Sequence, residues 1–245
     1  GHMPGLYFSW DECREQIKNY TNPIYKKFTS KKDALKYLNE YQGIDIYEID
    51  DEIKSNLSVN KTEIFNEDIN KTLFNLEDIN IYDDDLYIFI NSKYYNKINT
   101  SSIYFGIKSV NIKETVKSNE DKSSVLPFYY ALLFLDKYKS KIKEYQKNTD
   151  SNIYIVSDSL FTCNLFKYWI FKWSSNGWKT FLERDIICKD EVKKAFLLIN
   201  KLKLHKIKYE LKFFNSCRLP PSDSKEKYMW NGYLVSRYLI NESIN

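Results

Sequence analysis

Asp158 closes the apolar run Ile153–Val156, and Phe161, Trp169, Trp173 and Trp178 follow it within twenty residues. One carboxylate and four large rings can support two kinds of chemistry. Carboxylates in a group hold hard cations such as magnesium, which activate water and stabilise a leaving oxygen. A carboxylate without others does this poorly. Aromatic faces need no such company, because every nucleobase offers a surface on which they can stack. Histidine-based acid–base or triad chemistry is excluded. Apart from His2 the chain has only His205, set in the basic run "NKLKLHKIK". Cys13, Cys163, Cys188 and Cys217 form no C-x-x-C pair and have no neighbouring histidine, which argues against structural zinc. Reduced thiols of a cytoplasmic protein are the simpler expectation.

These residues need elements to hold them. The chain has 245 residues, 43% hydrophobic and 17% aromatic, enough for one large domain and one small one. No apolar run reaches membrane-spanning length, so no membrane partner is expected. Gly1-His2 ahead of Met3 reads as a tag-cleavage remnant, and no signal-peptide pattern follows. Charge is uneven. Glu40–Asp85 holds 14 acidic and three basic residues, net −11, so the remainder carries +15 of the overall +4. Such asymmetry fits basic surfaces for an anionic partner beside an acidic connector, and equally a solvated linker beside ordinary lysine-rich surfaces.

Residues 1–39 read as a small α+β domain. "LYFSW" is a strand. "SWDECREQIKNY" is a helix with Ser9 as cap and Glu12 three positions on. "PIYKKFTS" is a second strand and "SKKDALKYLNE" a second helix, capped by Ser30. Residues 40–84 show no steady period and read as an acidic linker, with room for short ordered pieces that dock on the neighbouring domain. Residues 85–245 read as three strands, a helix from "VLPFYYALLFLDKYKSKI", the strand "NIYIVSDS", two helices, the strand "IKYELKFF" and a last helix, "KYMWNGYLVSRYLI". This order predicts an α/β fold: a mixed five-stranded sheet with helices on both faces.

Two segments carry a resemblance. "PGLYFSWDECREQIKNY" with "YKKFTSKKDALKYL" resembles the hybrid-binding, viroplasmin-like domain at the N-terminus of eukaryotic type-1 ribonuclease H. "SDSLFTCNLFKYWIFKWSSNGWKT" resembles the centre of the same enzymes' catalytic domain, whose ribonuclease H-like fold has the strand–helix order read above. In that family the small domain opens with one further strand before the Pro-Gly turn. The matching residues for hybrid binding are Trp10 and Tyr25 as stacking surfaces and Lys26 and Lys27 as phosphate contacts. In the large domain the matching DNA-strand channel is Phe161, Trp169 and Trp173, with Lys179 leading into the basic protrusion.

The catalytic match is poor. The family holds two magnesium ions with four carboxylates. The resemblance places Asn91, Pro127, Asp158 and Asn231 at those four positions, with Glu226 as a displaced substitute for the last. Asp158 alone keeps a charge, and Asn91 and Asn231 are expected to donate hydrogen bonds to it. The expectation is a catalytically inactive ribonuclease H-like protein, without metal or cofactor, acting as a nucleic-acid-binding scaffold for RNA/DNA hybrid or for duplex or structured RNA. The alternatives are a protein-interaction role, such as an inhibitor or immunity factor against a nuclease toxin, and weak residual ribonuclease H activity.

Overall fold

The computed structural model describes residues 10–18, 20–30, 33–34, 37, 58–60, 79–106, 109–216 and 224–241. The chain divides into two compact units. One comprises Gly1–Glu48 with Asn215–Trp230, the other Ile49–Phe214 with Asn231–Asn245.

In the smaller unit, helix α1 spans Trp10–Ile17, where the sequence predicts it. Asp33, Ala34 and Tyr37 are helical. The Asp33 N–H reaches Ser30 Oγ at 3.5 Å, as the predicted cap requires. Residues 23–29 of the predicted strand "PIYKKFTS" are not strand. Here Phe28 turns to Tyr37, with ring centroids 5.3 Å apart, and side-chain packing takes the place of a ladder. The predicted strand "LYFSW" and the cap Ser9 lie outside the described residues.

The larger unit is built on one mixed sheet of seven strands among the described residues. They are β1 (Ser58–Asn60), β2 (Ile81–Tyr82), β3 (Asp85–Tyr95), β4 (Ile98–Tyr104), β5 (Val110–Lys117), β6 (Ile153–Ser157) and β7 (Glu210–Phe213). The order is β1-β5-β4-β3-β6-β7, with β2 pairing β3. β3, β4 and β5 form an antiparallel meander, whereas β6 runs parallel to β3 and β7 parallel to β6. This is the expected mixed sheet with five longer strands at its centre. The two extra strands come from the segment read as linker: Ser58–Asn60 pairs in parallel with β5, and Ile81–Tyr82 folds back on β3.

Turn chemistry explains the β2–β3 and β3–β4 corners. Asp83-Asp84 and Asn96-Lys97 are both left-handed pairs, with φ 51° and 63°, and 49° and 61°. Two consecutive positive φ values give a turn whose twist matches the flanking strands, and Asn and Asp tolerate that region best.

β3 alternates. Leu86, Ile88 and Ile90 enter one apolar cluster, while Tyr87 and Phe89 lie on the opposite side of the strand. On the first face lie α2 (Leu126–Lys137) and α6 (Lys189–Leu204), which pack on each other. The single helix predicted over "VLPFYYALLFLDKYKSKI" breaks at Tyr138 (φ −102°, ψ 16°), beyond which α3 (Lys139–Thr149) runs. On the second face lies the C-terminal part of α7 (Ser224–Asn241). Gly232 sits directly on the Phe89 ring, and Ser102 Oγ donates to the Ser236 carbonyl at 2.6 Å. Between β6 and α6 lie α4 (Leu160–Asn164), a π-turn over Leu165–Trp169 and α5 (Ile170–Ser175).

Candidate functional site

The parallel pairing of β3 and β6 ends with Ile90 opposite Ser157. Asn91, inside β3, and Asp158, just past β6, are therefore the next residues beyond the paired stretch of two adjacent strands. The Asn91 carboxamide oxygen is engaged locally, accepting the Ser92 N–H at 2.8 Å. Its Nδ2 is buried and finds no acceptor. The expected bond from Asn91 to Asp158 is thus not formed.

Asp158 takes its partners from α7 instead. The Tyr233 hydroxyl hydrogen-bonds to the carboxylate, and the Arg237 guanidinium adds attraction from further off. Arg237 itself donates to Tyr233 Oη at 2.9 Å. Tyr233 and Arg237 are four residues apart, so one helix face presents both. Burial is nevertheless the largest influence, and it pushes the Asp158 carboxyl above the usual carboxylate range.

Asn231, the expected partner, is exposed. It precedes Tyr233 by two positions, and residues so spaced point to different sides of a helix. The helix also begins at Ser224, a full seven residues before Asn231, so Asn231 does not begin it. Pro127 is buried in the first turn of α2, where a missing N–H costs nothing, and it offers no donor atom for a cation. The side chain of Glu226 and the loop 217–223 lie outside the described residues. Among the described residues no three His, Cys, Asp or Glu side chains cluster as a metal site would require.

The start of the aromatic segment is fixed from both sides. Ser159 Oγ accepts the Thr162 N–H at 3.1 Å and caps α4. Thr162 Oγ1 donates to the Ser124 carbonyl at 2.9 Å, and Ser92 Oγ to the Ser123 carbonyl at 2.6 Å. The loop before α2 is so tied to β3 and to α4.

The π-turn then aligns the rings. Phe161 and Trp169 are eight residues apart, which in a regular α-helix leaves them about 80° out of line. One π-turn absorbs roughly one extra residue, which cuts the offset to about 20°. The rings meet edge to face with centroids 5.2 Å apart, and Trp169 lies 6.0 Å from Trp173 one turn further on. Phe161 is 42% exposed, and both tryptophans are partly exposed. The three expected channel residues thus form one row. Trp178 does not join it: in a left-handed conformation (φ 65°), it turns edge-on to Phe196 of α6 at 5.4 Å. Lys179 is exposed, and its ammonium lies 3.5 Å from the Glu183 carboxylate.

In the smaller unit, Trp10 and Tyr25 form an exposed aromatic pair with centroids 5.5 Å apart. Lys27 is exposed beside them in sequence. The Lys26 ammonium rests over the rings of Phe28 and Tyr37, at 5.2 and 5.0 Å from their centroids.

Sequence reasoning missed Tyr233 and Arg237. The signal available was a tyrosine and an arginine at helical spacing on the last helix. It also missed Leu160, Tyr168 and Phe171, which stay exposed along the same segment.

Residues 1–38 match the family model described as the Ribonuclease H1 N-terminal domain. A curated ribonuclease H from Crithidia fasciculata is 37% identical over 41 residues, 17% of this chain and 8% of that protein. By sequence, then, the N-terminal part of this chain is similar to type-1 ribonuclease H, and the match spans under a tenth of that relative's length. Among solved structures, the foamy viral protease-reverse transcriptase in complex with RNA/DNA hybrid is 11% identical, with TM-score 0.42, covering 71% of this chain and 21% of that one. The solution structure of the PFV RNase H domain is 11% identical, with TM-score 0.41, covering 64% of this chain and 91% of that one.

Proposed function

We propose that this protein is a catalytically inactive ribonuclease H-like protein that binds nucleic acid, either an RNA/DNA hybrid or duplex or structured RNA. The observation that carries the reading is the partly exposed row Phe161–Trp169–Trp173, set beside a carboxylate that is hydrogen-bonded by Tyr233 and attracted by Arg237. A two-magnesium centre needs several anionic oxygens converging on one point. Asn91 and Pro127 supply no charge, Asn231 faces solvent, and Asp158 is already engaged by a hydroxyl and influenced by a guanidinium. This donor set does not fit magnesium. The aromatic row does fit the stacking of a strand, a contact worth about 1–3 kcal/mol per base.

The test is a short labelled hybrid incubated with the full chain in magnesium and then in manganese. Binding without cleavage is expected. Phe161→Ala and Trp173→Ala should weaken binding beyond any loss of melting temperature, and Asp158→Asn should not weaken it. Cleavage that disappears in Asp158→Asn would overturn the reading. A protein-binding role is the second reading. In its favour stands the turn after Thr180, where Phe181 is 92% and Leu182 60% exposed. It predicts a wild-type chain that binds neither hybrid nor RNA.

A further inference from the structure

At the opposite end of β6 from Asp158, about 17 Å away along five residues of strand, a separate cleft opens. It lies between the C-terminal half of α3 and the turn that follows α6. Lys143 and Lys147 line one wall and Lys206 and Lys208 the other. The lysines on α3 are one helical turn apart, a rise of about 6 Å. All four are exposed, and the ion pairs among the described residues are made by other lysines. Among the described lining residues Asp150 is the one carboxylate, so four positive charges face one negative there.

The walls are built together. The Gln146 carboxamide donates to the Lys208 carbonyl at 2.7 Å and accepts the Lys208 N–H at 3.2 Å. This two-way clamp fastens the turn after α6 to α3. Two residues at the rims, Asp150 and Lys206, hold left-handed backbones with φ 53° and 60°. Four like charges held in one cleft repel one another, and a bound anion removes that repulsion.

We infer that the Lys143–Lys147–Lys206–Lys208 cleft is a second anion site that takes adjacent phosphates, from a nucleic-acid backbone or from a free polyphosphate. It shares the ligand chemistry of the proposed function but none of its residues. The experiment follows binding of inorganic tripolyphosphate and of a short RNA/DNA hybrid, each across a salt series. The proteins are the wild-type full chain, a variant with all four lysines changed to Gln, and one with all four changed to Arg.

The Gln variant should lose tripolyphosphate binding, and its salt slope for hybrid should flatten by about 3, since each phosphate contact contributes about 0.7–0.9. The Arg variant should behave as wild type. If the Gln variant does not fold, Lys147→Gln and Lys208→Gln singly should each flatten the slope by about 1. A Gln variant that binds both probes as wild type does, or a wild type that binds neither, overturns the inference. Tripolyphosphate binding that depends on the four lysines, in a chain that ignores hybrid, keeps the cleft and removes the hybrid from the ligands of the function proposed above.

Discussion

Asp158 sits under opposing influences: burial disfavours its charge, while Arg237 and Tyr233 favour it. Burial dominates, so the folded carboxyl titrates above the value of about 3.9 that an unfolded aspartate shows. Between those two values the folded state keeps a proton that the unfolded state has lost. The group's contribution to stability is therefore complete below the unfolded value and is lost as pH rises through the folded one. Asp158→Asn removes this dependence. Its melting temperature relative to wild type should therefore rise as the pH is raised above the unfolded value of about 3.9. A difference that stays flat, or a variant that is less stable at neutral pH, would show that Tyr233 and Arg237 outweigh burial. Sequence reasoning located Asp158 because a carboxylate at the end of an apolar strand is a local pattern. Tyr233 lies 75 positions further on, and no local pattern connects the two.

Gly232 shows how an element is shaped by its contact. Alanine is the better helix former by about 1 kcal/mol. Here, however, an added Cβ would collide with the Phe89 ring, and Phe89 is itself buried in the sheet. Overpacking of this kind costs about 1–3 kcal/mol. The clash outweighs the propensity, so Gly232→Ala should lower the melting temperature of the full chain, and an unchanged or higher value would contradict the close approach. Elements with a strong period were legible in the sequence: the alternation of β3, the apolar face of α6 and the helix at Trp10. The strands at Ser58–Asn60 and Ile81–Tyr82 were not, because two or three residues carry no period and their pairing is decided by a distant partner. The π-turn was equally hidden, since one extra residue in a helix leaves the apolar spacing almost unchanged. Yet that residue is what brings Phe161 into line with Trp169. The strand expected at "PIYKKFTS" did not form: Ile24-Tyr25 and Lys26-Lys27 fall in pairs rather than alternating, and the rings of Phe28 and Tyr25 pair with Tyr37 and Trp10.

At the scale of the whole molecule, two units each display an aromatic surface on one chain whose charge is strongly segregated. Trp10 with Tyr25 belongs to one unit and Phe161, Trp169 and Trp173 to the other. When two sites on a single chain hold one ligand, the second contact is intramolecular, and affinity rises well beyond that of either site, by about 10²–10⁴ for a linker of suitable reach. The size of the gain depends on whether the ligand can span both sites. The proposed function therefore predicts a dependence on length. Affinity for hybrid duplexes of increasing length should rise gently at first, as phosphates are added, and then jump once one duplex engages both units. Trp10→Ala with Tyr25→Ala should abolish the jump and leave the binding of short duplexes to the larger unit intact. Phe161→Ala with Trp173→Ala should weaken short and long duplexes alike. Titrations of both double variants against one length series in constant salt make the comparison, because a change of salt would shift every phosphate contact at once. A smooth rise with no jump in wild type would mean that the two units do not act on one ligand. A jump that survives the Trp10 and Tyr25 substitutions would assign the second contact to other residues, with the lysine cleft beside α3 the next place to look.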